Sequence, residues 1–369
     1  MSKRYEIGSF YEKEKLVEDI DIKKDCIYDK IIQKDKCCFF ESGRSAISAV
    51  IEDIEKQTNN KVCLIPSYIC DTVVKPFVIK GWKVYFYQLN DKLEPIESEV
   101  IDLVRKYDPS VIFTVLYYGN DSIINIRKLL KEWEDNKEHF CVEDLTQSIF
   151  YFEKLEMGYV DKMKYQVASL RKWLPIPDGG VANLYNEPKY IEKEKPEYES
   201  YQLLAQSMKA EYLKGENISK DKFLKLHKIA EDALDDRYEI LPMNNESIKV
   251  LKNIDWEKIY TRRNENAIYL QEELELFSEI DNFWKLDKKS APLYMPIIIE
   301  DRDAFQEYMK RQNIFLPVLW PVPEQVGDAL NEFVDRLYNK MLAIPCDHRY
   351  TKKDMEYIID KIRIYFENM

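Results

Sequence analysis

Short apolar runs alternate with stretches of helical periodicity through about residue 185, and this alternation limits the folds that the chain can adopt. The candidate strands are the runs at 62–65, 84–86, 111–113, 140–142 and 167–168. Each gap between them is long enough for a crossover helix, which parallel strands require. The pattern therefore predicts an α/β fold with a mostly parallel sheet and flanking helices.

Beyond residue 185 the pattern changes. Residues 187–235 are charged and helical, with Lys and Glu interleaved and interrupted by Gly215. After Pro242 the expected elements are a long helix at 248–274, strands at 293–299 and 314–319, and helices at 303–311 and 354–366. Since 369 residues exceed the size at which a single core stops growing, we expect a large domain at 1–240 and a smaller C-terminal α+β domain at 241–369.

Two charged residues stand where predicted strands end. Asp144 ends the strand in FCVED, and Lys172 follows the strand in VASLRK. Open α/β sheets bind ligands at the carboxyl ends of their strands. A carboxylate and an amine at one ligand match the needs of pyridoxal phosphate (PLP), which forms a Schiff base with a lysine and places its pyridinium nitrogen against an acid. Because isolated Asp and Lys residues are usually solvated surface charges, this interpretation needs support from other residues.

Glycine usage gives independent support. The chain has 9 glycines in 369 residues, against an average usage of about 7%. The glycines that fall in candidate site segments are Gly43, Gly119, Gly179 and Gly180. A chain so poor in glycine is expected to keep it where the backbone geometry requires it.

The turn Ser-Gly-Arg-Ser before a helically spaced apolar stretch is a candidate phosphate site. Gly43, Arg44 and Ser45 would present backbone N–H groups, a guanidinium and a hydroxyl at the positive end of a helix dipole. Ser169, three residues before the lysine, offers a second hydroxyl. The alternative is an ordinary capped helix, with Ser42 or Ser45 as the N-cap.

The order of these segments resembles the DegT/DnrJ/StrS family of sugar aminotransferases, which have the type I PLP fold. SGRSA, IPSYICDTV, LYYGN, VEDLTQS, SLRKWLPIPDGG and MLAIPCDHRYTKKDMEYI occur in the family's order over roughly residues 37 to 369. The segment EDLTQS matches the family's EDxAQ pattern. The resemblance therefore implies a type I fold, with PLP as the cofactor.

The resemblance also implies roles for single residues. Lys172 would bind the cofactor as a Schiff base, Asp144 would pair with its pyridinium nitrogen, and Gln147 would lie beside its ring hydroxyl. The further cofactor-binding residues that it implies are Gly43, Arg44, Ser45, Tyr68, Cys70, Tyr118 and Ser169.

Departures from the family's pattern concern the substrate more than the cofactor. Many members place an aromatic residue over the cofactor ring at the position matching Cys70, so Tyr68 or Cys70 must cover the ring here. The family's GYNYR stretch, which in many members reaches the partner subunit's cofactor, is matched only loosely by residues 241–244. The LYG signature often follows a His, whereas this chain has Leu116-Tyr117 before Tyr118.

Composition excludes several other classes of protein. A net charge of −12 argues against a nucleic-acid partner, and no apolar run approaches the ~18 residues of a membrane span. The cysteine spacing suggests no disulfide framework, and the three His suggest no metal site. We therefore expect a cytoplasmic enzyme in which His348 is structural. The segment 317–321 either lines a substrate mouth or buries Trp320 at a strand end.

These observations together predict a PLP-dependent aminotransferase. By the resemblance, the amino donor is glutamate, and the acceptor is a nucleotide-linked keto-sugar for surface glycan or polysaccharide synthesis. The resemblance also implies a homodimer with shared active sites. Two alternatives stay open: a PLP-binding regulator or scaffold without turnover, and a PLP lyase or acyltransferase on the same fold.

Overall fold

Two β-sheets organise the described part of the chain. The computed structural model describes residues 4–13, 37–151, 165–191, 197–235, 237–327 and 330–368. Within these ranges the strands are β1 (Cys37–Phe40), β2 (Val62–Pro66), β3 (Lys83–Tyr87), β4 (Val111–Val115), β5 (Phe140–Asp144), β6 (Tyr165–Ser169), β7 (Gly180–Asn183), β8 (Ile280–Asp281), β9 (Tyr294–Ile299) and β10 (Met341–Pro345).

Helices cover the sheets and connect the strands. Within the same ranges they are α1 (Gly43–Glu55), α2 (Asp71–Ile79), α3 (Glu97–Tyr107), α4 (Arg127–Glu134), α5 (Glu197–Lys214), α6 (Lys220–Asp235), α7 (Asn245–Asn253), α8 (Trp256–Leu274), α9 (Arg302–Arg311), α10 (Glu332–Lys340) and α11 (Lys352–Glu367). Among the described residues, none of these helices combines the length and apolar character that a membrane span requires.

The large sheet has seven strands in the order β1-β7-β6-β5-β4-β2-β3. Strands β3, β2, β4, β5 and β6 run parallel, whereas β7 is antiparallel to both β6 and β1. Every residue of β4, β5 and β6 is buried, as expected for parallel strands that are covered on both faces. The mostly parallel α/β sheet predicted from the sequence is confirmed.

The small sheet is antiparallel and lies in the C-terminal part of the chain. Its order is β10-β9-β8, and a second cluster of buried apolar side chains packs around it, including Leu270, Ile297 and Ile358. Other C-terminal residues, such as Trp256 and Tyr338, pack into the core of the large sheet. The domain boundary at residue 240 therefore stays a prediction.

Two elements predicted in the C-terminal part were wrong. The single helix at 248–274 is two helices, because Ile254 and Asp255 have extended backbone and the Asp255 side chain caps α8. The strand at 314–319 does not form. Ile314 makes one isolated bridge, to Ile7, and Pro317 lacks the N–H that a strand ladder requires.

The charged stretch at 187–235, predicted to be helical, is helical from Glu197 to Lys214 and from Lys220 to Asp235, and the two helices form a hairpin. Helices α5 and α6 pack against each other, and Gly215 at the end of α5 has a positive φ of 100°, which an L side chain rarely adopts. Residues 192–196 of this stretch lie outside the described residues. We refer to α5 and α6 as the helical hairpin.

The N-terminal segment, residues 4–13, crosses the C-terminal part of the chain. The Phe315 N–H donates to the Ile7 carbonyl at 2.8 Å, and a Cβ at Gly8 would overlap the Phe315 carbonyl. The Arg349 guanidinium donates to the Ser9 and Phe10 carbonyls at 3.2 and 3.3 Å. These contacts hold the segment as a wall beside the candidate site described below.

Asp178, just before the Gly179-Gly180 pair, is a fully buried acid. Its carboxylate accepts hydrogen bonds from the Ser247 hydroxyl and, at 2.7 Å, from the Asn244 backbone N–H. Burial raises the pKa of Asp178 from 3.8 to about 7. Between those two values the folded chain holds a proton that the unfolded chain has released, so stability falls as the pH rises through this window.

We therefore expect the Asp178→Asn variant to gain stability relative to the unsubstituted protein as the pH rises from about 4 to about 8, by roughly 1 to 4 kcal/mol. Denaturant unfolding at a series of pH values measures the difference. Asp232→Asn, at an exposed residue of α6 that pairs with Lys228, is the control and should show no such trend. Parallel stability curves for Asp178→Asn and the unsubstituted protein would contradict the account.

Candidate active site

The predicted acid and amine meet at one edge of the large sheet. Strands β5 and β6 are parallel neighbours, with Asp144 opposite Val167. Lys172 ends the 3-10 turn Leu170–Lys172 that directly follows β6. Both side chains line a cavity of about 450 Å³, which we call cavity A. The spacing of twenty-eight residues in the sequence is therefore a short separation across two adjacent strand ends.

Neither the amine nor the acid is neutralised by a close ion pair. Lys172 is half-buried and, within the described part of the chain, its amine makes no hydrogen bond or ion pair. Asp144 is 7% exposed and accepts a hydrogen bond of 2.7 Å from the Thr146 N–H. Burial raises the pKa of Asp144, while the Thr146 hydrogen bonds and the Lys172 charge act against that rise. A cationic ligand group beside Asp144 would favour its ionised form.

Thr146 ties the acid strand to the lysine turn. Its hydroxyl oxygen accepts the Ser169 N–H at 3.0 Å, and its carbonyl accepts the Trp173 indole N–H at 2.7 Å. These bonds flank Lys172 in the sequence, so Thr146 fixes the turn on both sides. The sequence analysis assigned no role to Thr146, although this residue lies in the EDLTQS motif. Both of its hydrogen-bond partners are distant in the sequence.

The next residues of the motif shape the loop after β4. The Gln147 side-chain oxygen accepts the Tyr118 N–H at 3.3 Å. The Ser148 hydroxyl donates to the Leu116 carbonyl at 2.7 Å and accepts the Gly119 N–H at 2.8 Å. Gln147 also lines cavity A. The motif therefore builds two loops of the site at once.

The Ser-Gly-Arg-Ser turn caps α1, which was the alternative interpretation, and it also borders the cavity. Ser42 is the N-cap, and its hydroxyl oxygen accepts the Ser45 N–H at 3.1 Å. Gly43 and Arg44 line cavity A. The structure does not bring the Ser45 hydroxyl there, because it donates to the backbone of segment 239–241 at 2.7 Å and accepts from it at 3.1 Å.

Two glycines let this turn lie against the lysine turn. A Cβ on Gly43 would lie 3.1 Å from the Ser169 Cβ, and a Cβ on Gly180 would overlap the Ser42 carbonyl. The Ser169 hydroxyl lines cavity A and has no hydrogen-bond partner within the described ranges. A helix N-terminus and a free hydroxyl therefore face one space, which suits an anion such as phosphate.

Arg44 is oriented by the helical hairpin, a contact that the sequence analysis missed. Its guanidinium donates to the Leu234 carbonyl and, at 2.9 Å, to the Asp235 carboxylate. It also lies over the Tyr238 ring, 5.3 Å from the centroid. The Leu234 and Asp235 partners lie 190 and 191 residues away in the sequence, and no local pattern signals such a contact.

Of the residues expected to cover the cofactor ring, the structure brings Cys70 to cavity A. Cys70 is the N-cap of α2, and its sulfur accepts the Thr72 hydroxyl at 3.0 Å. Tyr68 and Tyr118 are buried, with their hydroxyls 3.3 Å apart. Neither residue lines cavity A or the second cavity described below. Trp320, half-buried and 4.8 Å from the Tyr68 ring, does line cavity A.

A second space of about 600 Å³, cavity B, adjoins cavity A. The N-terminal segment, the helical hairpin and the segment 317–320 supply part of its lining. The residues that line both cavities are Gln147, Arg171, Lys172, Glu231, Leu319 and Trp320. Segment 317–321 thus lies at the mouth of the site, which was the first of its two predicted placements.

Residues 241–244, which match the position of the GYNYR stretch, are hydrogen-bonded to other segments of the same chain. Pro242 bridges Phe40 of β1, the Leu241 carbonyl accepts the Glu41 N–H at 3.0 Å, and Asn244 binds Asp178 as described above. These contacts tie residues 241–244 to the edge of the large sheet.

The fold is that of the type I PLP-dependent aminotransferases, as expected from the sequence. No family model matches the sequence, and no curated protein matches it. Solved structures do match across nearly the whole chain. Helicobacter pylori PseC, an aminotransferase involved in the biosynthesis of pseudoaminic acid, has 11% identity and a TM-score of 0.63, with 99% of this chain and 100% of that chain covered.

Two further solved structures have the same fold. The sugar aminotransferase CalS13 from Micromonospora echinospora has 13% identity and a TM-score of 0.61, covering 91% of this chain and 90% of that chain. A DegT DnrJ EryC1 StrS aminotransferase from Brucella abortus has 14% identity and a TM-score of 0.60, covering 92% and 89%. At these identities the likeness establishes the fold.

Thr146→Val should loosen the lysine turn, because it leaves the buried Ser169 N–H without an acceptor. We expect a loss of about 1 to 3 kcal/mol in the free energy of unfolding, measured by denaturant titration. Thr146→Ser keeps the hydroxyl and should cost less than about 1.5 kcal/mol. Equal losses in the two variants would show that the hydroxyl does not hold the turn.

Proposed function

We propose that the chain is a PLP-dependent aminotransferase of the DegT/DnrJ/StrS family. The observation that carries the proposal is the Lys172 amine, which has no partner in the described part of the chain and shares cavity A with the buried Asp144 carboxylate. The fold and the order of the sequence motifs support the same assignment.

The groups lining cavity A fit the parts of PLP. The N-terminus of α1 at Gly43, the Ser169 hydroxyl and the Arg44 guanidinium would hold the phosphate. Asp144 would hold the pyridine nitrogen, and the amine of Lys172 would bind the aldehyde carbon. Bound in this way, PLP supplies an electron sink for the substrate bond that breaks.

The two ionisable side chains would then divide the proton chemistry. Asp144 would hold a proton on the ring nitrogen, since a cation beside it would offset the burial that raises the pKa of Asp144. Lys172, with its amine free, would move a proton from the α-carbon of the donor to the aldehyde carbon of the cofactor, and in the second half-reaction from that carbon to the carbonyl carbon of the acceptor. Its position at the junction of cavities A and B suits this movement.

The substrates belong to the same proposal. Glutamate is the amino donor, and a keto-sugar, nucleotide-linked, is the acceptor in surface glycan or polysaccharide synthesis. Cavity B supports a sugar because its lining includes the amides of Gln202, Gln206 and Gln306 together with the rings of Phe10 and Trp320. Amide groups hydrogen-bond hydroxyls and aromatic faces pack against sugar rings. A cytoplasmic homodimer with shared active sites completes the proposal.

Lys172→Ala should abolish covalent attachment of the cofactor. We expect purified protein to show the yellow absorbance of lysine-bound PLP, and borohydride to fix the cofactor on the peptide containing Lys172. The matched control is Lys75→Ala, which removes another amine of cavity A, one that is paired with Asp71, and should keep both signals. Cofactor fixed on another lysine, or a colourless protein that cannot be reconstituted, would contradict the proposal.

Asp144→Asn should keep the cofactor but slow its conversion by glutamate, on the order of 100-fold, because the amide cannot balance a charged ring nitrogen. Stopped-flow absorbance after mixing with glutamate measures this half-reaction. Asp71→Asn, at another acid of cavity A, is the control and should change the rate by less than about threefold.

The same half-reaction with a panel of amino acids, together with analysis of its products, separates the alternatives. Bound cofactor that no amino acid converts would favour a regulator or scaffold without turnover. Products of carbon–carbon cleavage would favour a lyase on the same fold.

A further inference from the structure

The helical hairpin presents polar side chains to cavity B from both of its helices. Gln202 and Gln206 are four residues apart on α5 and so share one face of that helix. His227 belongs to α6, and Gln306 to α9 in the C-terminal part of the chain. All four side chains line cavity B, and none of the proposed catalytic steps uses them.

Gln206 keeps a buried oxygen free. The residue is 1% exposed, and its side-chain nitrogen donates to the Ile176 carbonyl at 3.4 Å, which distinguishes the nitrogen of the amide from its oxygen. Within the described part of the chain, the Gln206 Oε1 is buried and has no hydrogen-bond partner. A buried acceptor without a donor destabilises the folded state, so a ligand that donates a hydrogen bond is favoured here.

His227 presents a second acceptor. Its Nδ1 lies 2.8 Å from the Gln202 side-chain oxygen, which can only accept, so Nδ1 carries the proton of the neutral ring. Nε2 is then a lone-pair acceptor, and among the described residues it has no partner. Burial lowers the pKa of His227, which keeps the ring neutral at pH 7. The Phe10 ring stacks on it, with centroids 4.0 Å apart, and fixes its plane.

Gln306 repeats this arrangement. Its side-chain nitrogen donates to the Leu316 carbonyl at 2.7 Å, and its Oε1 makes no hydrogen bond within the described ranges. In Gln206, His227 and Gln306 alike, the protein itself takes a hydrogen bond from the nitrogen and leaves the acceptor atom unused. Cavity B therefore offers several acceptors to a ligand.

The charge of cavity B limits which donors can bind there. Among the described residues that line it, cationic side chains outnumber acidic ones. The acids Glu231 and Asp347 each lie against a guanidinium, 2.8 Å from Arg171 and 2.9 Å from Arg349. Arg263, which is 1% exposed, donates to neutral groups. A ligand ammonium group is therefore disfavoured by like charge.

A neutral hydroxyl group suits this lining. It can donate to the free acceptors, and it can accept from the Gln202 side-chain nitrogen, which has no partner within the described part of the chain. A carboxylate has no hydrogen to donate. The lining thus distinguishes a ligand with hydroxyl groups from one with carboxylates.

We propose that Gln206, His227 and Gln306 are specificity-determining residues that accept hydrogen bonds from the hydroxyl groups of the acceptor sugar. The inference rests on the proposed function, since it names the groups that recognise the keto-sugar. Glutamate has no hydroxyl group outside its carboxylates. These side chains therefore serve the half-reaction of the sugar and not that of the donor.

Stopped-flow absorbance of the two half-reactions, with the cofactor bound to the full chain, tests the inference. The probes are glutamate and a panel of UDP- and dTDP-linked keto-deoxyhexoses. His227→Phe keeps a ring against Phe10, and Gln206→Met keeps the length of the side chain, but both remove the acceptor atom. Each should lower kcat/KM for the keto-sugar on the order of 10-fold and change the rate with glutamate by less than about threefold.

Deoxy analogues of the best keto-sugar of the panel, each lacking one ring hydroxyl, show whether a particular bond is involved. One analogue should react on the order of 10-fold more slowly with the unsubstituted protein. It should react no more slowly than the parent sugar with His227→Phe, because that variant has already lost the bond.

Binding without reaction gives a second measurement. Calorimetric titration of the same keto-sugar into protein carrying Lys172→Ala measures its Kd, and adding His227→Phe should raise that Kd on the order of 10-fold. Asp232→Asn, which removes an exposed carboxylate paired with Lys228 at 2.9 Å on the same helix, is the control and should change neither half-reaction. Circular dichroism confirms that each variant is folded.

The outcomes are distinguishable. Equal losses in both half-reactions, or no loss with the keto-sugar, overturn the inference and leave the proposed aminotransferase intact. An unchanged Kd in the His227→Phe background overturns it as well. If glutamate converts the cofactor but no keto-sugar of the panel reacts, the proposed acceptor fails together with the inference. If glutamate does not convert the cofactor, the proposed function itself fails.

Discussion

The parallel pairing of β5 with β6 is the interaction on which the rest of the site depends. Its register places Asp144 level with Val167, so that the acid and the lysine turn leave the sheet at the same edge. Because side chains alternate between the faces of a strand, a register shift of one residue would turn Asp144 to the opposite face. Full burial of both strands makes that shift costly.

Hydrogen bonds from one short motif keep this edge rigid. Thr146 bonds the backbone and the indole on either side of the lysine turn, while Gln147 and Ser148 fix the loop after β4. Thr146, Gln147 and Ser148 are buried. In the interior, a missing hydrogen bond destabilises the folded state by more than a formed hydrogen bond stabilises it. The loops around the half-buried Lys172 amine are therefore fixed by the protein's own hydrogen bonds.

Charge in the site is balanced by contributions from distant parts of the chain. The sheet edge supplies Asp144 and Lys172, the first turn of α1 supplies Arg44, and the helical hairpin supplies Asp235 and Glu231. Each guanidinium is paired with a carboxylate of the hairpin, at 2.9 Å for Arg44 and 2.8 Å for Arg171. The Lys172 amine, by contrast, has no ion pair within the described part of the chain.

The sequence predicted local features better than contacts between distant segments. Apolar runs identified β5 and β6 because buried parallel strands need continuous apolar residues, and the sparse glycines marked close backbone approaches such as that of Gly180 to Ser42. The hairpin contacts to Arg44 and Arg171 were missed because their partners are 60 to 191 residues away. Ser45 was placed in the site by its motif, but its hydroxyl is occupied by segment 239–241.

The central claim is that Asp144 and Lys172 hold the two ends of one cofactor. A crystal structure of the protein grown with PLP tests it most directly. The account predicts continuous electron density from the Lys172 side chain to the cofactor, the ring nitrogen within hydrogen-bonding distance of the Asp144 carboxylate, and the phosphate at the N-terminus of α1. Cofactor density elsewhere, or a ring nitrogen directed away from Asp144, would contradict it.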